Sequence, residues 1–180
     1  LIMIMTVNRL KELIDTGSEK DKVLEAKLQA LEILIRKYTN NNFQNRSRRI
    51  RCDVSSEVGL MCASSLFKVG DTVQLSESAY NSGLYIIDSI DFDNGCMGLN
   101  ESLTAESDVL VTKVEYPMDV QMGVVNMLSW DLSNRDKVGI QSETISRHSV
   151  TYFNMDGDNS TIGYPKSLVG FLKPYMKARF

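Results

Sequence analysis

Histidine is nearly absent from this chain of 180 residues: His148 stands alone. One imidazole cannot build a histidine metal cluster or a paired-histidine mechanism. It lies between Arg147 and Ser149 in an extended stretch, where a surface or hydrogen-bonded side chain is the favoured reading over a general base. Cysteine is scarce as well. Cys52, Cys62 and Cys96 are odd in number and widely spaced, with no Cys-x-x-Cys, which argues against a disulfide framework or a zinc site. A reducing cytoplasm is the expected place of synthesis. The Gly-Lys-Ser/Thr of a phosphate loop is missing, and so is the Gly-x-Ser-x-Gly elbow. Asp119 and Glu143 are carboxylates with no evident partner. The chain is therefore expected not to be an enzyme and to need no cofactor or metal.

Long apolar runs are missing too. Leu1-Ile2-Met3-Ile4-Met5 is too short, and lacks the basic flank and cleavage site, for a signal peptide. No run approaches a membrane span. A start at Leu1 points to Met3 or Met5 as the first residue translated. Nor is there an excess of one charge. Twenty Lys/Arg against 23 Asp/Glu leave a net charge of −3, so no bulk attraction to nucleic acid or an anionic membrane is expected.

What is present is helical periodicity at both ends and strand patterning between them. Thr6 to Thr16 reads as a short helix with Val7, Leu10 and Ile14 on one face, Thr6 as N-cap and Gly17 as terminator. A second helix is expected from Ser18 to about Tyr38. Its stripe is Leu24, Leu28, Leu31, Ile35 and Tyr38, with Glu25, Glu32 and the lysines mainly off it. Asn40-Asn41-Asn42 ends this helix, and Phe43 is expected to fold back and seal it. A third helix opens at Pro117, where the missing N–H costs nothing, and Asp119 suits its positive pole. Val120, Val124, Met127 and Leu128 form one face. Met118, Met122, Val125, Leu132 and Trp130 widen it beyond a single stripe, as in a helix that is central or shared with a neighbouring subunit. The end of the chain, from Pro165, reads as a short amphipathic helix with Pro174 inside it.

From Arg46 to Tyr116 the helical period gives way to alternation. Strands are expected near 50–54, 67–75, 84–90, 97–99 and 109–114, with turns at Asn81-Ser82-Gly83 and Asp93-Asn94-Gly95. About five such strands make a small antiparallel barrel or sandwich. This segment holds six Lys/Arg and eleven Asp/Glu, a balance of −5 against +2 for the remainder. Arg46, Arg48, Arg49 and Arg51 cluster at its entrance. A solvated strand edge is the favoured reading over a phosphate contact. Asn154 to Ser160 has calcium-loop composition without the spacing or the closing glutamate, and reads as a surface loop. The fold class is thus α+β. A small helical bundle, three helices plus a C-terminal helix from residues 1–45 and 117–180, carries an inserted barrel-like β module at 46–116.

One phrase is more specific than these patterns. Ser142-Glu143-x-Ile145, then Ser149-Val150-Thr151-Tyr152, follows the third helix, and Leu172-Lys173-Pro174-Tyr175 with basic neighbours closes the chain. With the order of the helices, this resembles the head–tail connector (neck adaptor) proteins of long-tailed bacteriophages. Ser146-Arg147 departs from the glycine-containing turn common in that family, and the 70-residue β module replaces what is often a short loop. The resemblance implies a structural virion protein made in the host cytoplasm. About twelve copies would form a closed ring beneath the portal, extend the DNA channel and receive the tail or a stopper protein. It implies a ring interface drawn from Trp130, Ser142, Glu143, Ile145, Val150 and Tyr152. It implies portal contacts from Lys166, Phe171, Leu172, Lys173, Tyr175, Lys177 and Arg179. DNA would pass through without sequence-specific binding, and no membrane is involved. Two alternatives remain: a tail-completion or stopper protein of the same neck, and a nucleic-acid-binding module built on the β segment.

Overall fold

Thr6 starts the first helix, α1 (Val7–Leu13), its hydroxyl accepting the Arg9 N–H at 3.2 Å. These and the following residues come from a computed structural model that describes residues 4–134, 142–145, 148–151 and 160–178. The chain divides into two units, Leu1–Asn41 with Tyr116–Phe180, and Asn42–Glu115. No helix among the described residues is long and apolar enough to cross a membrane.

In the first unit, α1 ends at Ile14, before the expected Gly17. Gly17 instead takes a left-handed φ of 56° in the linker, its N–H bound to the Asp15 carboxylate at 2.8 Å. The second helix, α2 (Asp21–Thr39), starts three residues later than the sequence suggests, with no side-chain cap. Leu24, Leu28, Leu31 and Ile35 are buried as the stripe requires. Glu32 corrects the reading of that stripe. It lies one turn beyond Leu28, on the buried face, and is only 2% exposed. The Tyr116 hydroxyl donates to its carboxylate at 3.0 Å, and Arg36 lies at 3.5 Å. Asn40 ends α2 in the left-handed region (φ 50°), its backbone N–H returning to the Arg36 carbonyl.

The third helix, α3 (Met118–Asn134), buries Val120, Gly123, Val124, Val125, Met127 and Leu128. Met118 and Met122 share an outward face. A short ribbon, β9 (Ser160–Thr161) with β10 (Tyr164–Pro165), leads into α4 (Lys166–Val169) and a 3₁₀ turn, Gly170–Tyr175. The 3₁₀ form suits Pro174, which cannot donate to the preceding turn. Here α3 packs against α2, α4 and the 3₁₀ turn. A separate hairpin, β7 (Ser142–Ile145) with β8 (His148–Thr151), pairs Glu143 with Val150.

The second unit is a closed antiparallel barrel of six strands in the order β1-β2-β5-β4-β3-β6. They are β1 (Gln44–Ser55), β2 (Gly59–Leu60), β3 (Thr72–Ser76), β4 (Gly83–Asp91), β5 (Cys96–Leu99) and β6 (Glu106–Val114). The extra strand relative to the sequence reading is β2, two residues too short to show a period. The first strand begins at Gln44, ahead of the expected boundary at 46, because Gln44 pairs with Val114. Val54, Leu60, Phe67, Val73, Leu75, Ile87, Met97, Leu103, Val109 and Val111 fill the interior. Burying one such side chain contributes about 1.5–3 kcal/mol.

The phrase Phe67-Lys68-Val69-Gly70-Asp71, expected as the first half of a strand, lies ahead of it and supplies one largely enclosed charge. Only Thr72 onward is strand. Gly70, at φ 89°, sends its N–H to the Ile87 carbonyl at 2.8 Å, and Ile87 N–H returns to the Asp71 carbonyl at 3.0 Å. The Asp71 carboxylate accepts the Lys68 N–H and pairs with Lys113 of β6, both at 2.9 Å. The expected Asp93-Asn94-Gly95 turn joins β4 to β5, where the Asp91 carboxylate accepts the N–H groups of Asp93 and Asn94. Asn81, read as a turn residue, is buried and pinned on both sides, donating to the Thr104 carbonyl and accepting the Thr104 N–H, each at 2.8 Å.

Tyr116 gives a direct probe of the first unit. Burial first, then the charge and hydrogen bond of Glu32, push its phenol well above the usual range. A raised phenol holds its proton in the folded state after the unfolded chain has lost it. Its contribution is therefore complete below about pH 10 and falls away as the pH rises beyond that. Tyr116→Phe is expected to cost about 2 kcal/mol at neutral pH, because Glu32 loses a buried donor. The variant should also lose less stability than the wild type between neutral and strongly alkaline pH. Paired denaturant titrations across that range check both.

Candidate functional site

The C-terminal segment is held by a clamp of asparagines. Asn40 Nδ2 donates to the Ala178 carbonyl at 2.7 Å, Asn41 Nδ2 to the Tyr175 carbonyl at 3.1 Å, and Lys177 N–H to the Thr39 carbonyl at 2.8 Å. The Tyr175 hydroxyl reaches both carboxylate oxygens of Asp119 at 2.8 Å. That bond, and then burial, raises the Tyr175 phenol above its ordinary value. The sequence offered Asn40-Asn41 as helix terminators and Asp119 as a dipole partner. Their second use, as anchors for residues more than fifty positions away, had no local signal. The run of three asparagines was the one available hint, because amide side chains can hydrogen-bond any passing backbone.

The expected portal-contact residues separate into two sets. Leu172 is fully buried, Phe171 is half-buried against Gly123 of α3, and Tyr175 is occupied by Asp119. These three attach the segment to its own unit. Lys166, Lys173 and Lys177 are exposed. Lys177 sits by the carbonyl end of α2, the favourable pole for a cation. Arg179 lies outside the described residues.

Of the expected ring-interface residues, Ser142, Glu143, Ile145 and Val150 fall on the β7–β8 hairpin. Tyr152 lies outside the described residues, as do the turn Ser146-Arg147 and the loop 154–159. Trp130 is half-buried on α3, in edge-to-face contact with Tyr164 at 5.6 Å between centroids. The Tyr164 hydroxyl reaches the Asp131 carboxylate at 3.1 Å, so this group serves internal packing.

No protein-family model matches the chain, and no curated protein matches it closely enough to serve as a relative.

On the barrel, Arg46, Arg48 and Arg49 are exposed along β1, where the register with β6 shifts between Gln44 and Arg49. The shift releases this stretch from regular pairing and turns the side chains outward. Among the described residues no ion pair engages these three arginines. Arg51 differs. It pairs with the Glu77 carboxylate, and with Asp108 at 3.0 Å. Glu77 (φ 54°) and Asp108 (φ 58°) both hold left-handed backbone, so Arg51 ties down two strained positions. Arg49, Ile50, Arg51, Glu77 and Leu110 line an open depression of about 370 Å³. Among the described residues no group of three or more His, Cys, Asp or Glu side chains could hold a metal ion.

Proposed function

We propose that this chain is a structural protein of a phage neck, a head–tail connector. In this reading about twelve copies ring the portal exit, extend the DNA channel and receive the tail or a stopper protein. The first unit is the helical bundle common to such adaptors, and the barrel is an insertion into it. The protein is made in the bacterial cytoplasm and ends in the virion. The observation that carries the reading is the C-terminal segment. Its apolar and aromatic residues anchor it, while Lys166, Lys173 and Lys177 are exposed to meet an acidic partner. Fixing the backbone in advance lowers the entropy lost on docking.

Purified chain mixed with the portal protein encoded beside it should give a closed ring with the portal's cyclic order, seen by mass and electron microscopy. Charge reversal at Lys173 and Lys177 should abolish that association while leaving the circular dichroism spectrum unchanged. Unchanged association would remove these lysines from the reading. Association with a tail-tube or stopper protein alone would move the chain one step down the neck.

The exposed Arg46, Arg48 and Arg49 favour a second reading, a nucleic-acid-binding barrel. It requires DNA retention by the full chain that weakens steeply with salt. The acidic balance of the barrel weighs against it.

A further inference from the structure

The β1–β2 ladder sets Val54 opposite Leu60 and Ser55 opposite Gly59. Met61 N–H donates to the Asp53 carbonyl at 2.9 Å, so the same register runs on past β2. Asp53 and Met61 thus stand opposite each other at a hydrogen-bonding position of the ladder. The next pair, Cys52 with Cys62, is therefore a non-hydrogen-bonded one. Such pairs bring α-carbons to about 4.5 Å and side chains to their closest approach. A disulfide spans α-carbons about 4.4–6.8 Å apart. Both thiols are free, partly accessible and packed against the barrel core. They also interact directly. The nearness of Cys62, and then burial, raises the Cys52 thiol above its ordinary value, and the nearness of Cys52 lowers that of Cys62. Cys96, opposite Asp91 on β5, has no cysteine across from it.

We propose that Cys52 and Cys62 close reversibly into a cross-strand disulfide that staples the β2 edge to β1. The oxidant is a low-molecular-weight disulfide of the glutathione class. Cys62 gives up its proton and its thiolate attacks one sulfur of that disulfide. A mixed disulfide forms, and one glutathione thiolate leaves and is protonated. Cys52 then loses its proton, attacks Sγ of Cys62 and expels the second glutathione thiolate. Two protein thiols are oxidised and one glutathione disulfide is reduced to two thiols. The bond reinforces the thinnest seam of the barrel, where β2 offers two residues and meets β5 only through Leu60 and Met97. A reducing cytoplasm keeps it open, and an oxidising medium closes it.

The test incubates the native full chain with mixtures of oxidised and reduced glutathione, then traps free thiols by alkylation and maps the digest by mass spectrometry. The expected product is a monomer with Cys52 joined to Cys62 and Cys96 alkylated, reverting in excess reduced glutathione. Hydrogen exchange across residues 56–63 should slow in that product. Cys52→Ser and Cys62→Ser should each stall as a mixed disulfide on the thiol that remains. The proposal is overturned if Cys52 and Cys62 stay separately alkylated across all mixtures, if both end as stable mixed disulfides, or if Cys96 takes part in the bond.

Discussion

Replacing Lys113 with methionine is expected to lower the stability of the barrel by about 3 kcal/mol. The Lys113–Asp71 pair is 2.9 Å long, with side chains 11% and 17% exposed. Solvent does little to screen charges so enclosed. An intact buried pair gains little net stability, because desolvation offsets its attraction. Breaking it is another matter. Methionine fills much of the lysine volume but leaves the Asp71 carboxylate inside with only the Lys68 N–H for company. Asp71→Asn on the Lys113→Met background should recover most of the loss, since a neutral amide oxygen still accepts that N–H without a stranded charge. Urea denaturation followed by circular dichroism measures the loss. Hydrogen exchange in β3 and β6 peptides assigns it to the barrel. A loss below about 1 kcal/mol would mean the pair behaves as a surface ion pair.

Gly123→Val is expected to cost the first unit about 3 kcal/mol. A β-carbon built at Gly123 overlaps the tip of the Phe171 ring, its Cζ, Cε1 and Cε2 atoms. Alanine tests the balance more finely. Replacing a mid-helix glycine by alanine ordinarily gains about 1 kcal/mol, while forcing a methyl into a filled space costs about 1–3 kcal/mol. The clash should win, so Gly123→Ala is destabilising on its own. With the ring removed by Phe171→Ala, the same change should turn stabilising by about 1 kcal/mol, as helix propensity alone dictates. Trp130 is the chain's single tryptophan and lies on α3, so its fluorescence reports this unit selectively. An unchanged sign in the two backgrounds would mean that Phe171 does not rest on Gly123. The outcome bears on docking, because a Phe171 engaged with Gly123 is not offered to a partner.

The parts of the fold that were legible in the sequence are those with a repeating signal. The α2 stripe, the Thr6 cap, the Asn94-Gly95 turn and the β-branched runs that form β4 and β6 depend on neighbours a few residues away, and local chemistry fixed them. Glu32 was misread because a carboxylate inside an apolar stripe makes sense only with Tyr116, 84 positions later. Likewise β2 is too short for a period and exists because β1 and β5 leave a gap of one strand between them. The cysteine count argued against a disulfide framework, yet Cys52 and Cys62 become neighbours once a hairpin sets their register. The C-terminal segment was read as one docking surface. The structure divides it into anchors and exposed lysines, a distinction that rests on Asn40, Asn41 and Asp119 rather than on the segment's own composition.

The barrel enters and leaves by a single doorway. Glu115 N–H donates to the Phe43 carbonyl at 3.0 Å, so the two ends of the 42–115 segment lie side by side, about 5 Å apart, as neighbouring strands do. Seen genetically, the segment is a cassette. Its gain or loss in one recombination event asks of the helical unit only a tight turn between Asn41 and Tyr116, and chain closure over so short a gap is cheap. A chain with the same helices and only a few residues at this point would differ from this one by one cut and one splice.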